Sequence, residues 1–440
     1  MTEENVMTTE NQENKEQGFL NKAKNIVQTK WFVYVCCAIF IALLFVRDAM
    51  SVGINKYLFV GLTIAIAIVM TPKQLIHLFC CLFPLYVGLP GNYMTIIFIL
   101  KLMFDYKNFK MQFLPFVFAV LMGAFILLSE LSVETTNMVH IMFIPGIFLV
   151  LILASYKELP IKDMIVAFCI GVASMGLIML ISTLQVYEFE KLLSESYRLG
   201  AANVNYTEVE TMNVSMDPNF FGMFAVAVIS LGMSLVAKKK VNKAEAVAIV
   251  LSVLACLGIA FIGQSRAFIL VFVVWIVLFM LSLRNKKAIL ISIAGLAVVV
   301  LAVFVVMPDV MNAVFERFLG EDMLTLNNRT TITTKYIEEM MANPLSIFGG
   351  LYFFGCNIHC LPLQVFFGGG LILSIIMVGF IISLMSKENK VEPKHFLAKW
   401  CPVIVTVFMS LTVPAAQLLN FMFPIIIAGL YAKHINKILD

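Results

Sequence analysis

Long apolar runs recur along the chain, punctuated by short clusters of basic residues, glycine and proline. This is the pattern of helices that cross a bilayer. Spans are expected near 31–46, 57–70, 74–89, 91–104, 112–129, 138–155, 164–183, 219–236, 245–263, 266–283, 288–307, 359–385, 399–416 and 418–433. The first four are short, and two pairs among them could merge or be re-entrant. The expected fold is therefore all-α, a polytopic membrane bundle of about 12–14 helices by span length. A composition of 61% hydrophobic and 13% charged residues lies far from that of a soluble domain of this length.

Residues 1–30 are polar, rich in acids and without periodicity, and read as a disordered or interfacial cytoplasmic tail rather than a signal peptide. The transmembrane domain is expected over 31–440, with large outer loops near 185–217 and 308–358, the second holding short helices. No internal repeat is visible, which disfavours transporter folds built from inverted halves.

Charge sets the orientation. With the N-terminus inside, Lys238 to Lys240, Arg284 with Lys286 and Lys287, and the run from Lys387 to Lys399 all fall in the cytoplasm, as the positive-inside rule requires. Both termini are then cytoplasmic. The net charge of +4 reflects these loops and implies no nucleic-acid partner. Arginine behaves differently: of six arginines, Arg47, Arg198, Arg266, Arg317 and Arg329 are expected on the outer side, and only Arg284 inside. Lysine could serve as a membrane anchor equally well. What arginine does better is forked binding of phosphate.

Nine cysteines make no disulfide framework. Most lie in or beside spans as small hydrophobes. Cys356 and Cys360 bracket His359, but a zinc site needs four ligands and three are visible. An i,i+4 disulfide is geometrically open; ordinary packing is the simpler reading.

The outer loops concentrate the polar signals. Asp217-Pro218-Asn219 reads as a helix start, with a capping oxygen followed by proline in the first turn. Arg198 lies in the loop ahead of it and has no comparable structural purpose. Gly263-Gln264-Ser265-Arg266 is nearly all that separates two apolar runs, so Arg266 stands at the membrane boundary, against the topological bias. Asn328 would cap a helix running through Met341 and ending at Asn343-Pro344. A cation at Arg329 then opposes the helix dipole unless an anion binds there. His359 opens a long apolar span and is the natural candidate for a general base or acid. Arg47 and Arg317 have no motif around them and read as interface anchors or loop cations.

Several arginines with one histidine and no acidic metal cluster suit departure of a lipid-linked diphosphate. Guanidinium groups neutralise the developing charge while a base takes the proton of an incoming hydroxyl. Glu188-Phe189-Glu190 and Glu208-Val209-Glu210 are only weak imitations of an Asp-x-Asp site.

In order, the chain carries Asp217-Pro-Asn-Phe-Phe-Gly222, Gly263-Gln-Ser-Arg-Ala267, Asn328-Arg329, Asn343-Pro344 through Gly349-Gly350, His359, Gln364 and Gly368-Gly369-Gly370. Over about 190–385 this resembles the bacterial O-antigen ligase/polymerase family, membrane glycosyltransferases of GT-C-type helical fold. The resemblance implies metal-independent, cofactor-free transfer of a glycan from undecaprenyl diphosphate to a glycan or lipid-linked glycan acceptor, on the outer face of the bacterial cytoplasmic membrane. It implies that Arg198 and Arg266 bind the diphosphate, that His359 activates the acceptor hydroxyl, and that Arg329, Asn219 and Ser265 contact substrate. The chain departs from the family in Ala267, where glycine is usual, and in Cys360, where asparagine often follows the histidine. A polymerase is favoured slightly over a ligase, as no added acceptor-recognition domain is visible. The competing class is a lipid-linked oligosaccharide flippase. Against it, the spans are almost bare of ionisable groups, Lys101 and His77 being the main exceptions. A non-catalytic scaffold would leave the outer arginines without purpose.

Overall fold

The computed structural model describes residues 27–132, 143–185, 216–263, 265–283, 329–356, 358–385, 396–413 and 419–439, with a few single positions between these segments. The protein is all-helical, 83% helix and without strands among the described residues. The expected tail to residue 26, nearly all of the first outer loop with Arg198, the span near 288–307, and the second loop up to Asn328 with Arg317 lie outside the described residues.

The chain opens with α1 (Lys30–Leu44), where the Thr29 side chain accepts from the Phe32 amide; a π-helical turn (Phe45–Ala49) extends it. Then come α2 (Lys56–Val69), α3 (Pro72–Leu82) and α4 (Gly91–Met103), separate helices rather than merged pairs. The span expected over 74–89 is shorter as a helix. Pro84 has no amide to continue the ladder, and the chain turns through a 3₁₀ segment at Pro84–Val87.

Next are α5 (Phe113–Leu131), α6 (Phe143–Ser155), α7 (Ile161–Leu184), α8 (Pro218–Ala237), α9 (Lys243–Ile262) and α10 (Arg266–Leu283). Within the stretch expected as the second loop lie α11 (Arg329–Ala342) and the short α12 (Ser346–Gly349), and after it come α13 (Leu361–Met385), α14 (Phe396–Ser410) and α15 (Leu419–Leu439). Six described helices, Lys30–Ala49 counted with its π turn, α5, α7, α8, α9 and Leu361–Leu384 of α13, are long and apolar enough to cross a membrane.

The core is built on α7 and α8. α7 packs on α3 and α9, and α8 on α9, α10 and α14. In α8 consecutive residues from Met223 to Leu231 are buried whichever way they point, as expected of a central helix wrapped by others. α9 shows the outer layer. Val247, Val250, Leu251 and Leu254 share one face at i, i+3, i+4 and i+7, and that face points outward with Leu251 61% exposed. An apolar stripe turned away from the core suits hydrocarbon surroundings rather than water.

Side-chain contacts define two ends of the bundle. One gathers Lys30–Asp163 at 2.8 Å, Lys162–Glu245 at 3.1 Å and the Lys73–Glu158 pair. The opposite end holds the Arg47–Asp48 pair, the Ser182 hydroxyl donating to Asp48 O, and the bridge from Ser265 to Asn219. Successive helices through α10 therefore alternate in direction.

α13 is broken rather than continuous. Gly370 adopts φ 65°, and at the same level Gly350 adopts φ 81°. The chain after α12 crosses the break, and the Leu351 amide donates to Phe367 O at 2.8 Å. A Cβ on Gly370 would come 2.3 Å from Phe348 O, so both the backbone conformation and the close approach demand glycine. Gly368 to Gly370 themselves are buried, so the irregular backbone of the break is covered by protein.

Candidate functional site

Two helices begin side by side at the end opposite the lysine-rich one. Asp217 caps α8, its carboxylate accepting from the Asn219 amide at 2.8 Å, with Pro218 in the first turn. Ser265 does the same for α10, its hydroxyl accepting from the Phe268 amide at 3.2 Å. That hydroxyl also donates to Asn219 Oδ1 at 2.7 Å and so ties the two helix starts together. Gly222 permits the approach: a Cβ there would meet Phe268 Cβ at 3.0 Å and Met409 Cε at 2.8 Å. The spacing from Asp217 to Gly222 is thus a capping signal followed one turn later by a packing notch.

Arg266 is the first residue of α10 and is half-buried beside this bridge. An arginine in the first turn of a helix, with a second helix start tied to the cap of that helix by a hydrogen bond, is an arrangement that suits an anion. The Asp217 carboxylate opposes this on the α8 side. The attractive part is therefore the α10 terminus with Arg266, while α8 contributes Asn219 as a polar wall.

Arg329 and His359 belong to a second unit. Arg329 begins α11. Tyr336, two turns on, donates to Gly355 O at 3.2 Å, and its ring packs on Phe367. Met340, Cys356, Ile358 and Phe367 form a small apolar cluster beneath α11. His359 lies half-buried in the turn between Ile358 and α13. That turn is pinned from within. The Gln364 side chain, fully buried, donates to Cys356 O at 3.0 Å, and the Gln364 amide donates to Cys360 O at 2.8 Å. Cys356 and Cys360 are free thiols, and burial pushes the Cys356 thiol up to about 11. Asn219, Ser265 and Arg266 are thus brought together, Arg329 and His359 share the α11–α13 unit, and Arg198 lies outside the described residues.

Sequence reasoning missed two groups here. Arg47 is not an interface anchor or loop cation. It is 2% exposed, and its Nε and Nη2 grip the Asp48 carboxylate at 2.6 and 2.8 Å. Nη2 also donates to Gly88 O at 2.6 Å, and the guanidinium lies 5.4 Å from the centre of the Phe59 ring. The adjacent acid was the available signal. Glu130 is the second: fully buried near the end of α5, it accepts from the Tyr352 hydroxyl at 2.7 Å. Burial first, and then this bond, push the Tyr352 hydroxyl up to about 12. Lys399 and Lys433 are buried as well. The spans are therefore less bare than expected: Arg47 and Glu130 lie just beyond the ends of the expected spans, and Lys399 and Lys433 at their first and last positions, yet all four are buried. Bareness no longer separates an enzyme from a transporter.

No family model matches this chain, and no curated protein matches it. Assignment of a function rests on the residues themselves.

Proposed function

We propose that this protein is a membrane glycosyltransferase that polymerises or ligates undecaprenyl-diphosphate-linked oligosaccharides on the outer face of the bacterial cytoplasmic membrane. The lysine distribution supports cytoplasmic termini, which turn the Asn219–Ser265–Arg266 corner and the His359 loop outward. Donor diphosphate would lie on Arg266 and the α10 terminus, with Arg198 and Arg329 as further cationic contacts. In the transfer, the bond between the sugar C1 and the diphosphate oxygen breaks, and its electron pair leaves with the diphosphate. The acceptor hydroxyl oxygen bonds to C1, and its proton passes to the imidazole of His359. Guanidinium donors stabilise the leaving charge, which is why forked donors serve better than ammonium.

The observation that carries this reading is the corner itself: two tied helix starts, with Arg266 the first residue of one of them. Arg266→Lys keeps the charge and removes the fork. Purified and reconstituted with lipid-linked repeat units, it is expected to lose polymer formation while inserting and melting like the wild type. Full activity in that variant would remove the forked-phosphate argument.

A further inference from the structure

A cavity of about 190 Å³ lies between α5, α6, α13, α14 and α15, away from the Arg266 corner. Its lining follows α6 from Phe143 to Ala154, about 16 Å at helical rise. The walls are apolar throughout except at one end, where Lys433 contributes to the lining. Water needs several polar partners and would find only this one, while a void left empty forfeits dispersion contacts along its whole length.

Three features select the occupant. First, the wall faces outward between α13 and α14, where the lining residues Ile381 and Val407 are 39% and 42% exposed. Second, the end nearest the His359 loop is closed by the buried rings of Phe143 and Phe353, edge to face with centroids 6.3 Å apart. Third, the ammonium of Lys433 is held at the other end by donating to Ala154 O at 2.8 Å, one residue from the close of α6. That end is the lysine-rich one, opposite the Arg266 corner. A molecule seated here enters from the side with its polar head at the lysine end. That polarity is the reverse of a donor whose diphosphate lies at Arg266.

We propose that the cavity holds one acyl chain of an anionic glycerophospholipid of the cytoplasmic leaflet, with its phosphate drawn to Lys433. The inference rests on the membrane placement and not on the transferase reading. A Cβ on Gly429, which lines the cavity, meets nothing within 4 Å, so a side chain there starts into open space.

Native mass spectrometry of the full chain in detergent tests this, with phosphatidylglycerol and phosphatidylcholine titrated in as probes. The wild type and Gly429→Ala are expected to retain one phosphatidylglycerol through delipidation, and Gly429→Phe to lose it. Lys433→Gln should weaken phosphatidylglycerol retention roughly fivefold, one lysine's share at an anionic surface, and leave phosphatidylcholine unchanged. This second arm decides the matter even if Gly429→Phe fails to fold. Absence of bound lipid, equal retention by Gly429→Phe, an unselective Lys433→Gln, or a polyprenyl phosphate as the retained species each overturns the proposal. No glycan transfer is read, so failure of the transferase reading leaves the result intact. A chain that stays monodisperse without detergent would instead remove the membrane placement.

Discussion

At the scale of single residues, burial and partner decide what an arginine is for. Arg47 is enclosed and spends its fork on Asp48 and Gly88, whereas Arg266 is half-buried at the start of a helix. The residue that joins local structure to the proposed chemistry is Ser265, which both caps α10 and ties it to Asn219. Ser265→Ala removes the cap and the bridge together, and is expected to cost about 1 kcal/mol or slightly more. Thermal melts in detergent should show that loss, and donor affinity should fall with it as the two helix starts come apart. Unchanged melting would mean that the bridge does not hold the corner. Tyr352 makes a second test. Tyr352→Phe is expected to cost about 1 kcal/mol by taking one donor from buried Glu130. Its hydroxyl titrates higher in the folded protein than the ordinary tyrosine near 10, so the contribution is whole below that pH and fades as pH climbs toward about 12. A wild-type advantage that instead grew with pH above 10 would contradict the assignment.

At the scale of elements, what was legible in the sequence was local. Asp217-Pro218 announced the start of α8, and Asn343-Pro344 the end of α11, because a cap and a proline act within one turn. The break in α13 was hidden in an apolar run. Three glycines permit it, but the strand of chain that occupies it, Phe348 to Leu351, arrives from another part of the fold. The same holds for Arg47, whose bond to Gly88 spans 41 residues, and for Glu130, which accepts from Tyr352 of the second outer loop. Ser265 was legible as a motif member but not as a strut, since its partner Asn219 lies in a different motif. Gly370→Ala is expected to destabilise by well over 1 kcal/mol, since it forces positive φ and meets Phe348 O. The accompanying signature is faster proteolysis between α11 and α13; an intact, equally resistant variant would show that the docked segment does not depend on the break.

At the scale of the whole molecule, apolar faces turned outward, a buried α7–α8 centre and two chemically distinct ends describe a bundle organised for hydrocarbon surroundings. Among the described residues no three His, Cys, Asp or Glu side chains gather where they could hold a metal ion. Under the transferase reading, EDTA is expected to leave purified activity unchanged, and inhibition reversed by a divalent cation would transfer the charge-neutralising role from arginine to a metal. The Arg47–Asp48 pair bears on how such a molecule is made. A lone arginine or aspartate entering the bilayer centre costs about 2.5–3.5 kcal/mol on the insertion scale. These two are neighbours in sequence and close their own ion pair within one turn. The first helix can therefore partition with its charges already matched, before Gly88 or Phe59 has packed against it. Removing either partner would strand the other at the moment of insertion, so its damage would fall on biogenesis before it reached the finished fold.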